Sequence, residues 1–299
     1  MSNEVKTEFI EEKTMYGKNG VRVLQHRREG KVHHIKEVEV NTELSLSSKK
    51  DYIDGDNNDV VPTDTQKNTV YALVREKGIR TIEQFGMDLC KHFLETHSQV
   101  HTVNVYIEEA PWRRLDHTGR EHVHAFILNP EAIRFCQVTQ RRYGKPCVSA
   151  GLKGMKVLKT TKSGFVGFAR DKYTTLPEVT DRFFCTTVYS KWTYDELLGL
   201  DFDRAVETVK AIILDNFAGP PDTGVYSPSV QNTMYLAQKQ SFQKVPQISE
   251  IEIVMPNSHY FTIDLSKFGM ENKDEVMLPA EKPAGNIKLS MKRHPKSKL

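Results

Sequence analysis

Along the first part of the chain, apolar and polar residues alternate with a period of two. Residues 20–24, and then Val38, Val40, Thr42 and Leu44, follow this rule, which predicts two half-buried strands joined near Glu29-Gly30. Residues 45–61 are polar and turn-rich and predict an exposed loop. The period then changes. Thr63 stands three residues before Gln66, with Val70, Leu73 and Val74 on one helical face and Gly78 after them, so Thr63 reads as a helix N-cap. Thr81 and Gln84 repeat that spacing ahead of Ile82, Phe85, Leu89 and Phe93, a second apolar stripe. Alternation returns at Val103, Val105 and Ile107 and again at His122, His124, Phe126 and Leu128. The first half therefore reads ββααββ.

The second half repeats this order. Strand-like stretches lie near 133–143, 148–161 and 181–191, and a helix runs from about Asp203 to Phe217 before Gly219-Pro220-Pro221. A further helix is expected to start at Ser227-Pro228, with Ser as N-cap and Pro in the first turn. Ile251, Ile253 and Met255, and then Ile287, Leu289 and Met291, supply closing strands. The pattern predicts an α+β protein of two antiparallel ββααββ domains, residues 1–135 and 136–299. A length of 299 residues fits two domains of ordinary size.

Composition narrows the function. Lys plus Arg number 42 against 39 Asp plus Glu, a net charge of +3, far from the basic balance of a dedicated nucleic-acid binder. The doublets Arg27-Arg28, Arg113-Arg114, Arg141-Arg142 and Lys292-Arg293 are dispersed and read as solvated surface or subunit contacts. Cys90, Cys136, Cys147 and Cys185 are scattered without a CxxC pair, so reduced thiols in an intracellular protein are expected. No apolar run approaches the roughly 20 residues needed to span a bilayer, and the N-terminus is too acidic for a signal or transit peptide. Ser297-Lys298-Leu299 matches the receptor-read peroxisomal targeting signal.

Several residues could carry chemistry. Thr63-Asp64 opens a helix, where free backbone N–H groups favour an anion, although ordinary capping explains the same residues. Lys18, in a tight turn before the first strand, could act as a base or stand solvated beside Gly17. His259, in a turn between two strands, could shuttle protons or sit idle at the surface. His122 and His124 share a strand face, but no third ligand stands at motif spacing, so structural or interface histidines are favoured over a metal.

The run from Leu158 through Lys159, Thr160, Thr161, Lys162, Ser163, Gly164, Phe165 and Phe168 to Asp181-Arg182 resembles the signature of the urate oxidase (uricase) family. Tyr16-Gly17-Lys18, Thr63-Asp64, Gln66-Lys67-Asn68-Thr69, Ser229-Val230-Gln231, Pro256 to Phe261 and the Ser-Lys-Leu tail match the same family in order, most closely its vertebrate, peroxisomal type. The resemblance implies two tandem tunnelling-fold (T-fold) domains, each with two helices on one face of its sheet, in a homotetramer around a central tunnel. It also implies active sites between subunits, with Lys18, Thr63 and Asp64 from one chain and Phe165, Arg182, Val230, Gln231, Asn257 and His259 from its neighbour.

By the same resemblance, Arg182 and Gln231 clamp opposite edges of urate, Phe165 stacks on its face, and Thr63 with the Val230 and Asp64 main chains completes the rim. Lys18, Thr63 and His259 form a proton relay, and Thr63 and Asn257 hold dioxygen and then water. The implied reaction takes urate, O2 and water to 5-hydroxyisourate and hydrogen peroxide with no metal or organic cofactor, inside the peroxisome, which an import receptor reaches through the tail. Two rivals are a tunnelling-fold enzyme acting on a pterin or another purine, and a non-enzymatic peroxisomal purine-binding protein that keeps the clamp without turnover.

Overall fold

The computed structural model describes residues 14–294, so Ser297, Lys298 and Leu299 lie outside the described residues. The chain opens with β1 (Tyr16–Glu29), β2 (Val32–Leu46), a short α1 (Lys50–Ile53), α2 (Thr63–Lys77), α3 (Ile82–Thr96) and β3 (Val100–Glu109). A hairpin of β4 (Trp112–His117) and β5 (Arg120–Leu128) precedes β6 (Ile133–Arg141). The second half runs β7 (Cys147–Lys159), β8 (Phe184–Tyr194), α4 (Phe202–Ala218), α5 (Val230–Lys244) and β9 (Ile248–Val254). It closes with a hairpin of β10 (Asn257–Thr262) and β11 (Met277–Gly285), and then β12 (Lys288–Lys292).

One antiparallel sheet of ten strands carries both halves. In the first half β1, β2, β3 and β6 lie side by side; β6 pairs with β7 across the junction; β7, β8, β9 and β12 repeat the arrangement. The boundary between residues 135 and 136 falls inside β6, whose ladder to β3 is continuous from Thr102↔Arg141 to Glu109↔Arg134. One face of the sheet is apolar because strand side chains alternate: Val38, Val40 and Leu44, Val103, Val105 and Ile107, Cys136 and Val138, Val148 and Ala150, and Ile251 and Ile253 are all buried. Under the helices they join Phe85, Leu89 and Phe93 of α3 and Val206, Val209 and Ile213 of α4 in one core.

Four local expectations need correction. The His122–Leu128 segment lies in β5, which pairs with β4 in a separate two-stranded sheet; the fourth strand of the first half is β6. Half-exposed side chains along β5 show why, since this ribbon covers no core. Thr63 is the first residue of α2 and makes no capping bond; Pro62 occupies the cap. The second-half helix begins at Val230, and Ser229 caps it by accepting from the Asn232 N–H at 3.1 Å, so Ser227 and Pro228 precede the helix. Residues 45–46 extend β2, and α1 interrupts the loop that follows. The cap at Thr81, which accepts from Gln84 N–H, is as expected.

Candidate active site

Two groups of candidate residues are built at different places on the sheet. Lys18 lies within β1 rather than in a turn before it, and the ladder to β2 slips immediately afterwards, between Lys18 and Val21. Gly17 makes this start possible, because a Cβ there would lie 1.7 Å from the Thr42 carbonyl oxygen. Thr63 and Asp64 are exposed at the start of α2, where first-turn N–H groups have no intrahelical acceptor. The Asp64 carboxylate accepts from Lys67 and Asn68 on its own helix, and these bonds, with Lys18 nearby, hold it below the usual carboxylate range.

Three residues that the pattern reading did not assign to the site fix this corner. The Tyr16 hydroxyl accepts from Val61 N–H at 2.8 Å, just before α2. Gln66, fully buried, accepts from the Thr42 hydroxyl at 2.8 Å and donates to Val61 C=O. Together they dock the start of α2 on β1 and β2. The spacing gives Gln66 only as the partner of a Thr63 cap; its burial depends on Thr42, 24 positions away, which no local pattern shows.

The second group gathers where β7 passes into β8. The connecting segment is laced by a bridge between Phe165 and Val179 and by Arg182 N–H donating to Ser163 C=O at 2.8 Å. The Arg182 guanidinium stands over the Phe165 ring at 5.4 Å from its centroid, and Phe168 stacks on Phe165 at 4.9 Å. Burial lowers Arg182 from its ordinary value, and the guanidinium remains a cation. Ser163 bridges Ser227 in parallel, which ties the segment ahead of α5 to the strand end that leads to Phe165; Val230 and Gln231 are the first two residues of that helix.

His259 lies within β10, not in a turn. β10 adds to β8 through Asn257↔Thr186 and Ser258↔Cys185, and its ladder to β11 slips between Asn257 and His259. Such a slip re-aims side chains next to it. Arg182, Asn257 and His259 line one cleft of about 180 Å³, and Tyr260 stacks on Phe183 beside it. A fork-shaped cation, an amide and an imidazole thus share one cleft, whose wall also carries Asp181 and Asp274, and the Phe165 ring lies against the Arg182 guanidinium.

The first group does not sit there. Between β1 and β10 stand β2, β3, β6, β7 and β8. Six steps at the usual strand spacing put about 29 Å between the two groups along the sheet. His122 and His124 belong to neither: their rings meet edge to face at 4.5 Å, and His122 Nδ1 accepts from the His124 and Ala125 N–H groups.

The fold defines the class: an α+β protein of the T-fold type, with paired ββααββ units along one antiparallel sheet. The Uricase family model matches residues 14–139 and 148–288. A uricase of Danio rerio is 52% identical over 292 residues, spanning 98% of this chain and 97% of that one. A uricase of Oryctolagus cuniculus is 51% identical over 300 residues, spanning 100% of both. Among solved structures, the uricase from Arthrobacter globiformis superposes with a TM-score of 0.89 at 36% identity, covering 97% of each chain. The chain belongs to the uricase family and is an enzyme of the urate oxidase type.

Proposed function

We propose that this chain oxidises urate with dioxygen and water to 5-hydroxyisourate and hydrogen peroxide, using no metal or organic cofactor. The observation that carries the reading is the Arg182 guanidinium held over Phe165 in the corner shared with Asn257 and His259. Urate is a planar monoanion at neutral pH. Arg182 grips one ring edge with its fork, the Gln231 amide takes the opposite edge, and Phe165 covers a face. Val230 N–H, at the start of α5, adds a donor to the rim.

Lys18, Thr63 and Asp64 complete this site from a second subunit. The five strands between the groups favour such a site in a homotetramer over one within a single chain. Lys18, Thr63 and His259 then relay a second proton away from urate, Lys18 supplying charge, Thr63 a hydroxyl that both donates and accepts, and His259 the shuttle. The resulting dianion gives two electrons to dioxygen, which leaves as hydrogen peroxide after taking two protons. Water held by Thr63 and Asn257 adds to the oxidised ring. Ser297-Lys298-Leu299 directs the enzyme through its import receptor to the peroxisome, a compartment suited to a peroxide product.

The test is loss of urate absorbance followed with oxygen uptake and peroxide release, on chelator-treated protein whose size in solution is measured. Equal amounts of urate lost, oxygen consumed and peroxide formed by a metal-free tetramer are expected. Urate binding with no oxygen consumption overturns the enzymatic reading. Mixing Lys18→Met chains with His259→Ala chains tests the shared site, since hybrids regain intact sites while each variant alone stays inactive. No recovery on mixing would place the site within one chain.

A further inference from the structure

Lys159, the last residue of β7, touches none of the groups assigned to urate, yet it is tied to both sides of their seat. Its Nζ donates to Val225 C=O at 2.9 Å and to Ser227 Oγ at 2.8 Å. Its charge also lies 5.7 and 5.5 Å from the ring centroids of Phe184 and Phe217. Burial pulls this ammonium down to about 8, the mark of a cation drawn away from water.

Ser227 is the node on which Lys159 acts, and it is 1% exposed. Its N–H donates to Lys162 C=O at 2.8 Å and its C=O accepts from Gly164 N–H at 3.0 Å, next to Phe165. Its Oγ accepts from the Thr233 hydroxyl at 2.9 Å, and Thr233 lies in the first turn of α5 with Val230 and Gln231. One side of the node therefore carries the ring that covers urate, and the other carries the amide that reads its edge.

We propose that Lys159 is a positioning residue for the urate site: its ammonium, bonded to Val225 C=O and Ser227 Oγ, sets the spacing between the Phe165 ring and the Val230-Gln231 turn. This rests on the reading of Phe165, Val230 and Gln231 as urate ligands. A side chain of similar length without donors fills the space between Phe184 and Phe217 but releases the node, so the ring and the amide drift relative to each other. The loss falls on substrate binding, because Lys159 carries no proton in the reaction.

The experiment uses the full-length assembled protein, with steady-state urate oxidation and calorimetric urate binding under anaerobic conditions, where no turnover occurs. Lys159→Met should raise KM and the anaerobic Kd about tenfold, the scale of a lost charged hydrogen bond, with kcat changed less than about threefold. Lys159→Arg, which keeps the donors, should return both constants to within about threefold of the parent. Ser227→Ala should also raise KM, and the double variant should lose less than the two single losses combined, since both remove the Lys159–Ser227 bond while each also frees one further partner, Val225 C=O or the Thr233 hydroxyl. Lowered thermal stability in Lys159→Met with unchanged KM and Kd would reduce Lys159 to a structural role and overturn the proposal. Should Lys159→Met fail to assemble, Ser227→Ala decides, and an unchanged KM there overturns it. If the parent protein consumed no oxygen, the proposed reaction would fall by itself, while the anaerobic binding series would still decide for or against Lys159.

Discussion

In the first half of the sheet the hairpin β4-β5 follows β3 and precedes β6, while in the second half β10-β11 follows β9 and precedes β12. The two insertions occupy the same slot in a repeated plan, and they are attached differently. β10 joins the main sheet by backbone pairing to the start of β8. The first-half hairpin forms its own ribbon and is held beside the start of β2 by side chains: Arg114 donates to His33 C=O, and Trp112 Nε1 donates to Glu37 at 2.8 Å. A backbone ladder fixes register and direction, so the second slot can hold Asn257 and His259 against Arg182 within the tolerance that chemistry requires. The first slot gathers histidines instead, with His26 and His33 hydrogen-bonded at 3.1 Å and His33 and His124 rings 5.8 Å apart. Duplicated architecture thus supplies two similar corners, and the one built on main-chain pairing is the one to which the proposed reaction is assigned.

The sharpest way to break this contrast is to remove a histidine from each corner. His259→Ala should lower urate turnover by about 10²–10⁴-fold, the usual range for a lost acid–base group, with the fold intact. His124→Ala should leave turnover within about twofold, since its ring faces His33 and His122 rather than the Arg182 cleft. Comparable losses in the two variants, measured by oxygen uptake, would mean that both corners serve the reaction.

The halves also meet through a buried charge cluster, and its loss should cost stability rather than chemistry. Arg134 of β6 donates through Nη2 to both carboxylate oxygens of Glu83 in α3, at 3.0 and 2.8 Å, and through Nη1 to Asp203 at the start of α4. Glu83 is fully buried, and desolvation holds its carboxyl above the usual range against the pull of Arg134. Arg134→Met strands Glu83 in the interior and should destabilise the protein by about 3–5 kcal/mol in denaturant unfolding. Adding Glu83→Leu should recover part of that loss, because the uncompensated charge goes with it. A loss below about 1 kcal/mol in the single variant would show that the two halves are held together by the β6-β7 ladder and the core without this cluster.

Much of this architecture is legible in the amino-acid order. Period-two alternation locates β2, β3 and β9, because each buries one face against helices, and the Thr81 cap and Gly78 stop mark the ends of α3 and α2. The partner of β3 is not legible from alternation: β5 alternates as well as β6 does, and what separates them is that β6 carries Cys136 and Val138 into the core while β5 keeps half-exposed residues on both faces. Family motifs name Lys18, Thr63, Arg182 and His259, but their distribution over the sheet depends on pairings distant in sequence, such as Asn257↔Thr186. Lys159 and Ser227 show the same limit. A lysine at the end of a strand carries no sign of a serine 68 positions later that shares its bond.

A smaller effect separates gripping from merely attracting an anion in the Arg182 corner. Arg182→Lys keeps a positive charge but loses the planar fork that matches a ring edge, and the shorter reach also breaks the stacking over Phe165. Apparent urate affinity should fall about tenfold, with kcat altered less. An unchanged KM would show that Arg182 attracts urate without orienting it.

The smallest effect belongs to the histidine corner and is read by pH. Partial burial is the main cause that lowers His33 from its ordinary value of 6.5, and the neighbouring His26, Arg28, His124 and Arg114 push it further down. Well above pH 6.5 this imidazole is neutral in both folded and unfolded chains and contributes no pH dependence. As pH falls through 6.5 the unfolded chain takes up the proton first, so the corner loses stability until the folded imidazole is protonated as well. The His33 ring, followed by NMR, should titrate below 6.5, and His26→Gln should move its midpoint upward by removing one of the neighbours that push it down. Urate turnover in His26→Gln should stay at the parent level across the same pH range, because the proposed site lies at the Arg182 cleft and not at the histidine corner. A parallel shift in the activity profile would tie the two corners together and remove the distinction between them.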